Sequence, residues 1–143
     1  MRARRFAATQ RGVALLEALL AVVLLGIGLI GTLALQARSV AALSEAGLRA
    51  EATVAANELL GVMNTDFANI GAYAVAKGAQ PGPRLAPWYG AVRSHVPGAS
   101  IEVVVTPTAG TTQTAVAIAI GWQRSGASPN SVHRVTSYLA QSQ

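Results

Sequence analysis

A continuous apolar stretch from Val13 to Leu35 constrains the fold more than any other feature of the sequence. It contains a single ionisable side chain, Glu17. About 20 apolar residues in a helix span a bilayer core of about 30 Å, because each residue adds about 1.5 Å of length. The stretch therefore predicts a helix that can cross a membrane once. A carboxylate is unfavourable in such a segment, by roughly 2.5–3.5 kcal/mol at the bilayer centre, so Glu17 needs a purpose other than anchoring.

The residues before this stretch are basic and set its orientation. Arg2, Arg4, Arg5 and Arg11 precede it without any acidic residue, and basic flanks stay on the cytoplasmic side of a membrane. We therefore expect a single pass through a membrane, with the N-terminus on the cytoplasmic side and the C-terminal part translocated. A secretory signal peptide has a shorter apolar core followed by its cleavage site, whereas here the small residue, Gly12, stands before the core.

Residues 12–17 read Gly-Val-Ala-Leu-Leu-Glu and resemble the type III signal of type IV pilins and pseudopilins. The resemblance implies that residues 1–12 are a leader, which a prepilin peptidase removes by cutting between Gly12 and Val13. It also implies that the new Val13 amine is N-methylated. Glu17, the fifth mature residue, would then register subunits in a filament by pairing with the N-terminal amine of a neighbour. The family more often begins with Phe-Thr where this chain has Val-Ala.

Residues 24–36 narrow the resemblance to the PilV family of minor pilins, which carry a similar glycine-rich tract ending in Leu-Gln. That likeness covers about the first 60 residues. It implies a low-abundance subunit that leaves the inner-membrane lipid to initiate a cell-surface pilus with other minor pilins and the major pilin, in support of adhesion or twitching motility. Two alternatives stay open: a minor pseudopilin of a type II secretion system, and an unprocessed single-span protein with a periplasmic binding domain.

Three glycines interrupt the apolar stretch, Gly26, Gly28 and Gly31, and match the letters of a dinucleotide fingerprint. That fingerprint requires a strand before it and a helix opening at the glycines, which a spanning apolar stretch does not provide. Each glycine lowers helix stability by roughly 0.5–1 kcal/mol relative to alanine. Filaments of the resembling family lose helicity near this point on assembly, often beside a proline. Because this chain has no proline there, we expect the three glycines to soften the helix.

Composition and charge argue against several classes of function. The net charge of +5 arises largely in the leader, which holds four of the 11 basic residues, and no basic stripe with interleaved aromatic residues indicates a nucleic-acid partner. The chain has no cysteine and therefore no disulfide. His95 and His133 have no acid or nucleophile at a recognisable spacing, and Glu102 is a lone carboxylate. We expect no enzymatic activity, no cofactor and no metal site.

Helical spacing continues beyond the apolar stretch without a proline as far as Asp66, so we predict one long helix over residues 13–66. Its second half is predicted to be amphipathic and to pack on a small domain formed by residues 67–143. The predicted buried stripe of this half consists of Leu43, Gly47, Val54, Leu59, Val62 and Met63.

The predicted domain begins with an irregular segment and ends with a sheet. Residues 67–98 are rich in Gly and Pro, with a helical turn expected at residues 72–76 and with Trp88 and Tyr89 as a buried lid over the sheet.

Alternating β-branched residues predict three strands, at residues 100–107, 113–122 and 132–139, with turns at 110–112 and 125–130. The strands should form an antiparallel meander whose large side chains face the helix, namely Val116, Ile118, Ile120 and Trp122. The opposite, alanine-rich face of the middle strand is expected to be half exposed. The predicted fold class is α+β, a long N-terminal helix on a small antiparallel sheet, which is also the fold that the pilin resemblance implies.

Overall fold

The computed structural model describes residues 10–123 and 130–141. Helix α1 runs unbroken from Gln10 to Thr65, over 56 residues. No proline interrupts it, and alanine and leucine, which favour helices, dominate its sequence. It contributes to two compact units, one that ends at Ser44 and one that begins at Glu45. The prediction of a single long helix is confirmed, whereas most of the predicted leader lies outside the described residues.

The second unit contains the end of α1, a short helix α2 and a three-stranded sheet. α2 spans Ala86–His95, and the strands are β1 (Ser100–Pro107), β2 (Gln113–Trp122) and β3 (Ser131–Ala140). The strand order is β1-β2-β3 with both neighbouring pairs antiparallel. The predicted α+β class, the meander and the strand positions are therefore confirmed.

The core of this unit lies between the inner face of the sheet and the two helices. β2 contributes most of the sheet's share, because Val116, Ile118 and Ile120 have no exposed surface and Trp122 is 3% exposed. The alanines of the opposite face are half-buried, as predicted. Gly121 lies on that face, where an added Cβ would stand 2.6 Å from the Ser100 hydroxyl oxygen, so the Ser100 side chain would have to rotate away.

The buried stripe of α1 differs from the predicted one. Leu59 and Met63 are buried as predicted, but Leu43 and Val54 are 70% and 64% exposed, and Val62 is also exposed. Gly47 is exposed as well. The stripe instead contains Ala52 and Ala56. Small side chains at these two positions allow the rest of the core to approach the helix backbone closely. The predicted stripe, which favoured large apolar side chains, is therefore wrong at Leu43, Val54 and Val62.

The segment between α1 and β1 is more regular than predicted. A 3₁₀ helix covers Phe67–Tyr73, so the turn expected at residues 72–76 lies earlier in the chain. Val75 is instead bridged to Val103 of β1. α2 occupies part of the stretch predicted to be irregular, and a proline lies at its start, where the missing N–H costs nothing.

The two predicted turns have different outcomes. In the first, the Thr108 N–H donates to the Gln113 carbonyl at 2.9 Å, and Gly110 takes the positive φ of 76° that the turn needs. In the second, residues 125–129 lie outside the described residues.

Candidate functional site

The residues of the predicted processing signal lie at the beginning of α1. Val13 and Glu17 are exposed on its surface, and their separation of four residues places them one helical turn apart, roughly 6 Å along the axis. Gly12 precedes them within the same helix, and a Cβ added there would meet nothing within 4 Å. A cut between Gly12 and Val13 would therefore leave the new amine at the first turn of α1, on the same side as the Glu17 carboxylate.

The surface of α1 around these residues is apolar, and nothing in the described part of the chain covers it. Val13 is 64% exposed, and so, to a similar degree, are the large side chains that follow it: Leu15, Leu16, Leu19, Leu20, Val22, Val23, Leu24, Leu25, Ile27, Leu29, Ile30, Leu33 and Leu35. From Gly12 onward, α1 is long and apolar enough to cross a membrane. A continuous apolar surface of this extent requires lipid or other apolar helices around it.

The three glycines of this stretch do not break the helix. α1 is continuous through Gly26, Gly28 and Gly31, and a Cβ added at any of them would meet nothing within 4 Å. No close packing in the described chain therefore requires glycine at these positions. The predicted softening concerns an assembled filament and remains a prediction.

A cluster around Glu45 ties α1 to the ends of two strands. One Glu45 carboxylate oxygen accepts a hydrogen bond from the Ser131 hydroxyl at 2.6 Å, and the other accepts from the Trp122 indole N–H at 3.3 Å. Trp122 and Ser131 are themselves paired across β2 and β3. On the next turn of α1, a guanidinium nitrogen of Arg49 lies 3.9 Å from a Glu45 carboxylate oxygen. The local sequence pattern carries no signal for this cluster, because Trp122 and Ser131 lie 77 and 86 positions after Glu45 in the chain.

A second cluster surrounds Asp66, directly after α1. Its carboxylate accepts hydrogen bonds from the Asn69 amide at 2.7 Å, the Tyr73 hydroxyl at 2.8 Å and the Arg84 guanidinium at 2.7 Å. The bonds from Asn69 and Tyr73, together with the charge of Arg84, lower the pKa of Asp66. Burial and the neighbouring carboxylate raise the pKa of Tyr73. The cluster fixes the chain between α1 and α2, which is a structural task.

The histidines and Glu102 show no arrangement that points to catalysis. His95 lies at the end of α2 with its Nδ1 3.7 Å from a Glu51 carboxylate oxygen, and both side chains are mostly exposed. His133 is on β3 and Glu102 is half-buried on β1. Among the residues that the structure describes, no three His, Cys, Asp or Glu side chains are grouped as metal ligands would be. The absence of enzymatic activity remains a prediction.

A shallow groove between α1 and α2 has a volume of about 160 Å³ and is lined in part by Val54, Trp88 and His95. Pockets for small molecules are typically about 300–1,000 Å³, so this groove is small for a cofactor.

Comparisons of the chain with family models, curated proteins and solved structures return no match.

Proposed function

We propose that this chain is a minor type IV pilin, similar to the PilV family, that is inserted in the inner membrane, processed by a prepilin peptidase and incorporated into a pilus. One observation carries the proposal: Gly12, Val13 and Glu17 stand in the signal spacing at the head of an unbroken helix. The apolar surface that follows them has no cover within the described chain. A filament core made of packed helices would provide that cover.

Processing would change the electrostatics at the head of α1. Hydrolysis of the peptide bond between Gly12 and Val13 releases a positively charged amine at the start of the apolar surface, and methylation keeps that charge. The Glu17 carboxylate is the only acidic group in the stretch. Two opposite charges in an apolar environment must be paired, because an unpaired buried charge costs several kcal/mol.

Pairing between subunits would fix their axial register. The amine of an entering subunit would meet the Glu17 carboxylate of a subunit already in place, and this contact between two charges is formed at one axial position only. Apolar contacts along the helices are not directional, so they add stability without selecting a register. The second unit of the chain is then available to other minor pilins and to the major pilin.

The processing step can be tested directly. The full chain is produced with and without an active prepilin peptidase, as the natural sequence and as two variants, Gly12→Val and Gly47→Val. Both glycines lie in α1 with nothing within 4 Å of an added Cβ, so the two substitutions are matched in their surroundings. We expect cleavage of the natural chain and of Gly47→Val only with active peptidase, and no cleavage of Gly12→Val.

The same experiment separates the proposal from its alternatives. A natural chain that keeps its full length beside active peptidase would contradict the proposal and favour a single-span membrane protein with a periplasmic binding domain. A minor pseudopilin of a type II secretion system would be cleaved in the same way. It would be distinguished by its absence from surface filaments.

A further inference from the structure

The two edges of the sheet differ in how they are covered. At the outer edge of β1, Val75 pairs with Val103 through two backbone hydrogen bonds. The Val75 N–H donates to the Val103 carbonyl at 3.0 Å, and the Val103 N–H donates to the Val75 carbonyl at 2.9 Å. β1 also ends in Pro107, which has no N–H to offer to another strand. This edge is therefore partly closed by the chain itself.

In the part of the chain that the structure describes, no segment covers the outer edge of β3. All ten residues from Ser131 to Ala140 pair one-to-one with β2, so no bulge twists the strand away. In an antiparallel pair, every second residue directs its N–H and C=O away from the partner strand. Within residues 10–123 and 130–141, no other segment pairs with those groups. Such edges usually carry prolines or several charges, but β3 has no proline and a single permanent charge, on Arg134.

The inner face of β3 is also incompletely covered. Ile118 and Ile120 on β2 have no exposed surface, whereas Val135 and Leu139 on β3 are only partly buried against the same core. His133 shares this inner face, and its Nε2 atom is buried without a hydrogen-bond partner in the described chain. A buried polar atom left unpaired costs about 1–3 kcal/mol. The layer of core side chains therefore ends at β3, where the His133 Nε2 atom has no hydrogen-bond partner in the described chain.

We propose that the free edge of β3 binds an extended segment of a different protein, which adds to the sheet as a fourth strand. The segment is identified by its chemistry: on the inner face it carries apolar side chains to cover Val135 and Leu139, and at the His133 end of the same face a small hydrogen-bonding side chain to reach the His133 Nε2 atom. On the outer face, an acidic residue would pair with Arg134. Backbone hydrogen bonds would supply most of the affinity and the alternate side chains the specificity.

A second copy of this chain is the less suitable occupant. Two copies paired through β3 would present the same strand to each other, and β3 has no acidic residue to pair with Arg134. A segment of a different protein can supply that acid.

The absence of cysteine in the natural chain permits a site-specific cross-linking test. A single cysteine is introduced in the full chain at Thr136, an exposed residue of β3, or at Thr106, an exposed residue of β1, as the matched control. Each variant is labelled with benzophenone maleimide in cells that carry the complete assembly system and is irradiated, and the adducts are sequenced. We expect Thr136→Cys to give an adduct with one extended segment of another protein, and Thr106→Cys to give none.

A proline pair shows whether the backbone edge is what binds. Of the neighbours Ser137 and Tyr138, one directs its N–H to β2 and the other directs it outward. Proline is placed at each of the two positions in turn, in the Thr136→Cys background. At the position whose N–H points away from β2, proline should leave the thermal unfolding of the sheet unchanged and reduce the adduct by about tenfold or more. Proline at the other residue should lower the unfolding temperature.

Four outcomes decide the proposal. An adduct with a second copy of this chain would overturn it, and so would an adduct no stronger than that of the Thr106→Cys control, or one that a folded proline variant does not reduce. The intact mass of the same sample reports whether the leader has been removed. An adduct with another protein on an unprocessed chain would therefore support the open edge while contradicting the proposed function.

Discussion

The indole N–H of Trp88 donates a hydrogen bond to the backbone carbonyl oxygen of Ala55, 2.9 Å away. Trp88 lies in the first turn of α2 and Ala55 in the last third of α1. Trp88 is only 9% exposed, so water has little access to this hydrogen bond. This one contact fixes the short helix against the long one and satisfies the only polar atom of the indole.

Substitutions of Trp88 should separate the hydrogen bond from the packing. Trp88→Phe keeps an aromatic ring and should lower the free energy of unfolding by about 1 kcal/mol. Trp88→Ala also removes the buried ring and should lower it by about 3–5 kcal/mol. Urea unfolding of the full chain in detergent, followed by the fluorescence of the buried Trp122, measures both. Tyr89→Phe is the matched control, with an expected change below about 0.5 kcal/mol; equal stabilities of Trp88→Ala and the control would contradict the assignment.

The Asp66 cluster should make the stability of the second unit dependent on pH in acid. Because the pKa of Asp66 is lowered in the folded chain, the charged carboxylate stabilises the fold above the ordinary pKa of about 3.9. That stabilisation is lost as the pH falls through the folded pKa.

Asp66→Asn should therefore unfold at a lower temperature than the natural chain at pH 7, and the two melting temperatures should converge as the pH falls below the ordinary carboxyl pKa of about 3.9 and through the lowered folded pKa. Thermal unfolding of both proteins over that range tests the sign. A constant difference in melting temperature across the range would show that the charge of Asp66 does not stabilise the fold.

Glu17 should be required for incorporation into filaments but not for processing. Removing the carboxylate with Glu17→Ala leaves the Val13 amine of a neighbour unpaired in an apolar environment, which should lower recovery in sheared filaments by about tenfold or more. Glu58→Ala is the matched control, since Glu58 is an exposed acid on the same helix outside the apolar stretch. Normal recovery of the leaderless Glu17→Ala protein in filaments would contradict the pairing role.

The three glycines of the apolar stretch should make α1 easier to open locally. Replacing Gly26, Gly28 and Gly31 together by alanine should stabilise the helix by roughly 1.5–3 kcal/mol in sum, because none of the three has a neighbour that an added Cβ would meet. Amide hydrogen exchange of the chain in detergent micelles should slow over residues 26–31. The triple variant should be processed normally and recovered poorly in filaments; full recovery would contradict a role for softening.

The strands were the most predictable part of the fold. β1 and β2 begin and end at the predicted residues, and β3 extends one residue further at each end, because runs rich in β-branched residues are bounded here by turn-forming residues. The long helix was equally predictable, since no proline interrupts it.

The helix α2 was missed although the sequence carries a signal for it. Leu85, Trp88, Val92 and Val96 recur at intervals of three or four residues and all four are buried. The glycines and prolines around them, including Pro87 in the first turn, favour an irregular segment and mask this spacing. Spacing of buried residues is a stronger indicator of a short helix than the composition of its surroundings.

The tertiary clusters could not have been predicted from the sequence. In the sequence, Glu45 looks like any acidic residue of a helix. Only the fold places Trp122 of β2 and Ser131 of β3 within hydrogen-bond distance of it. Likewise, Asp66 and Arg84 are 18 positions apart across a segment with no regular pattern. These contacts depend on how the chain returns to α1. The position of β3 at an edge follows from the predicted meander, whereas the absence of a covering segment on that edge, within the described part of the chain, is a tertiary property.

The intact mass of this protein, measured from sheared surface filaments and from the membranes of the same cells, tests the central claim most directly. We predict that the filament fraction contains a chain that begins at Val13, lacks residues 1–12 and carries one added methyl group. The membrane fraction should contain the same species with some precursor. A full-length chain found in membranes alone would contradict the account and leave an ordinary membrane-anchored protein.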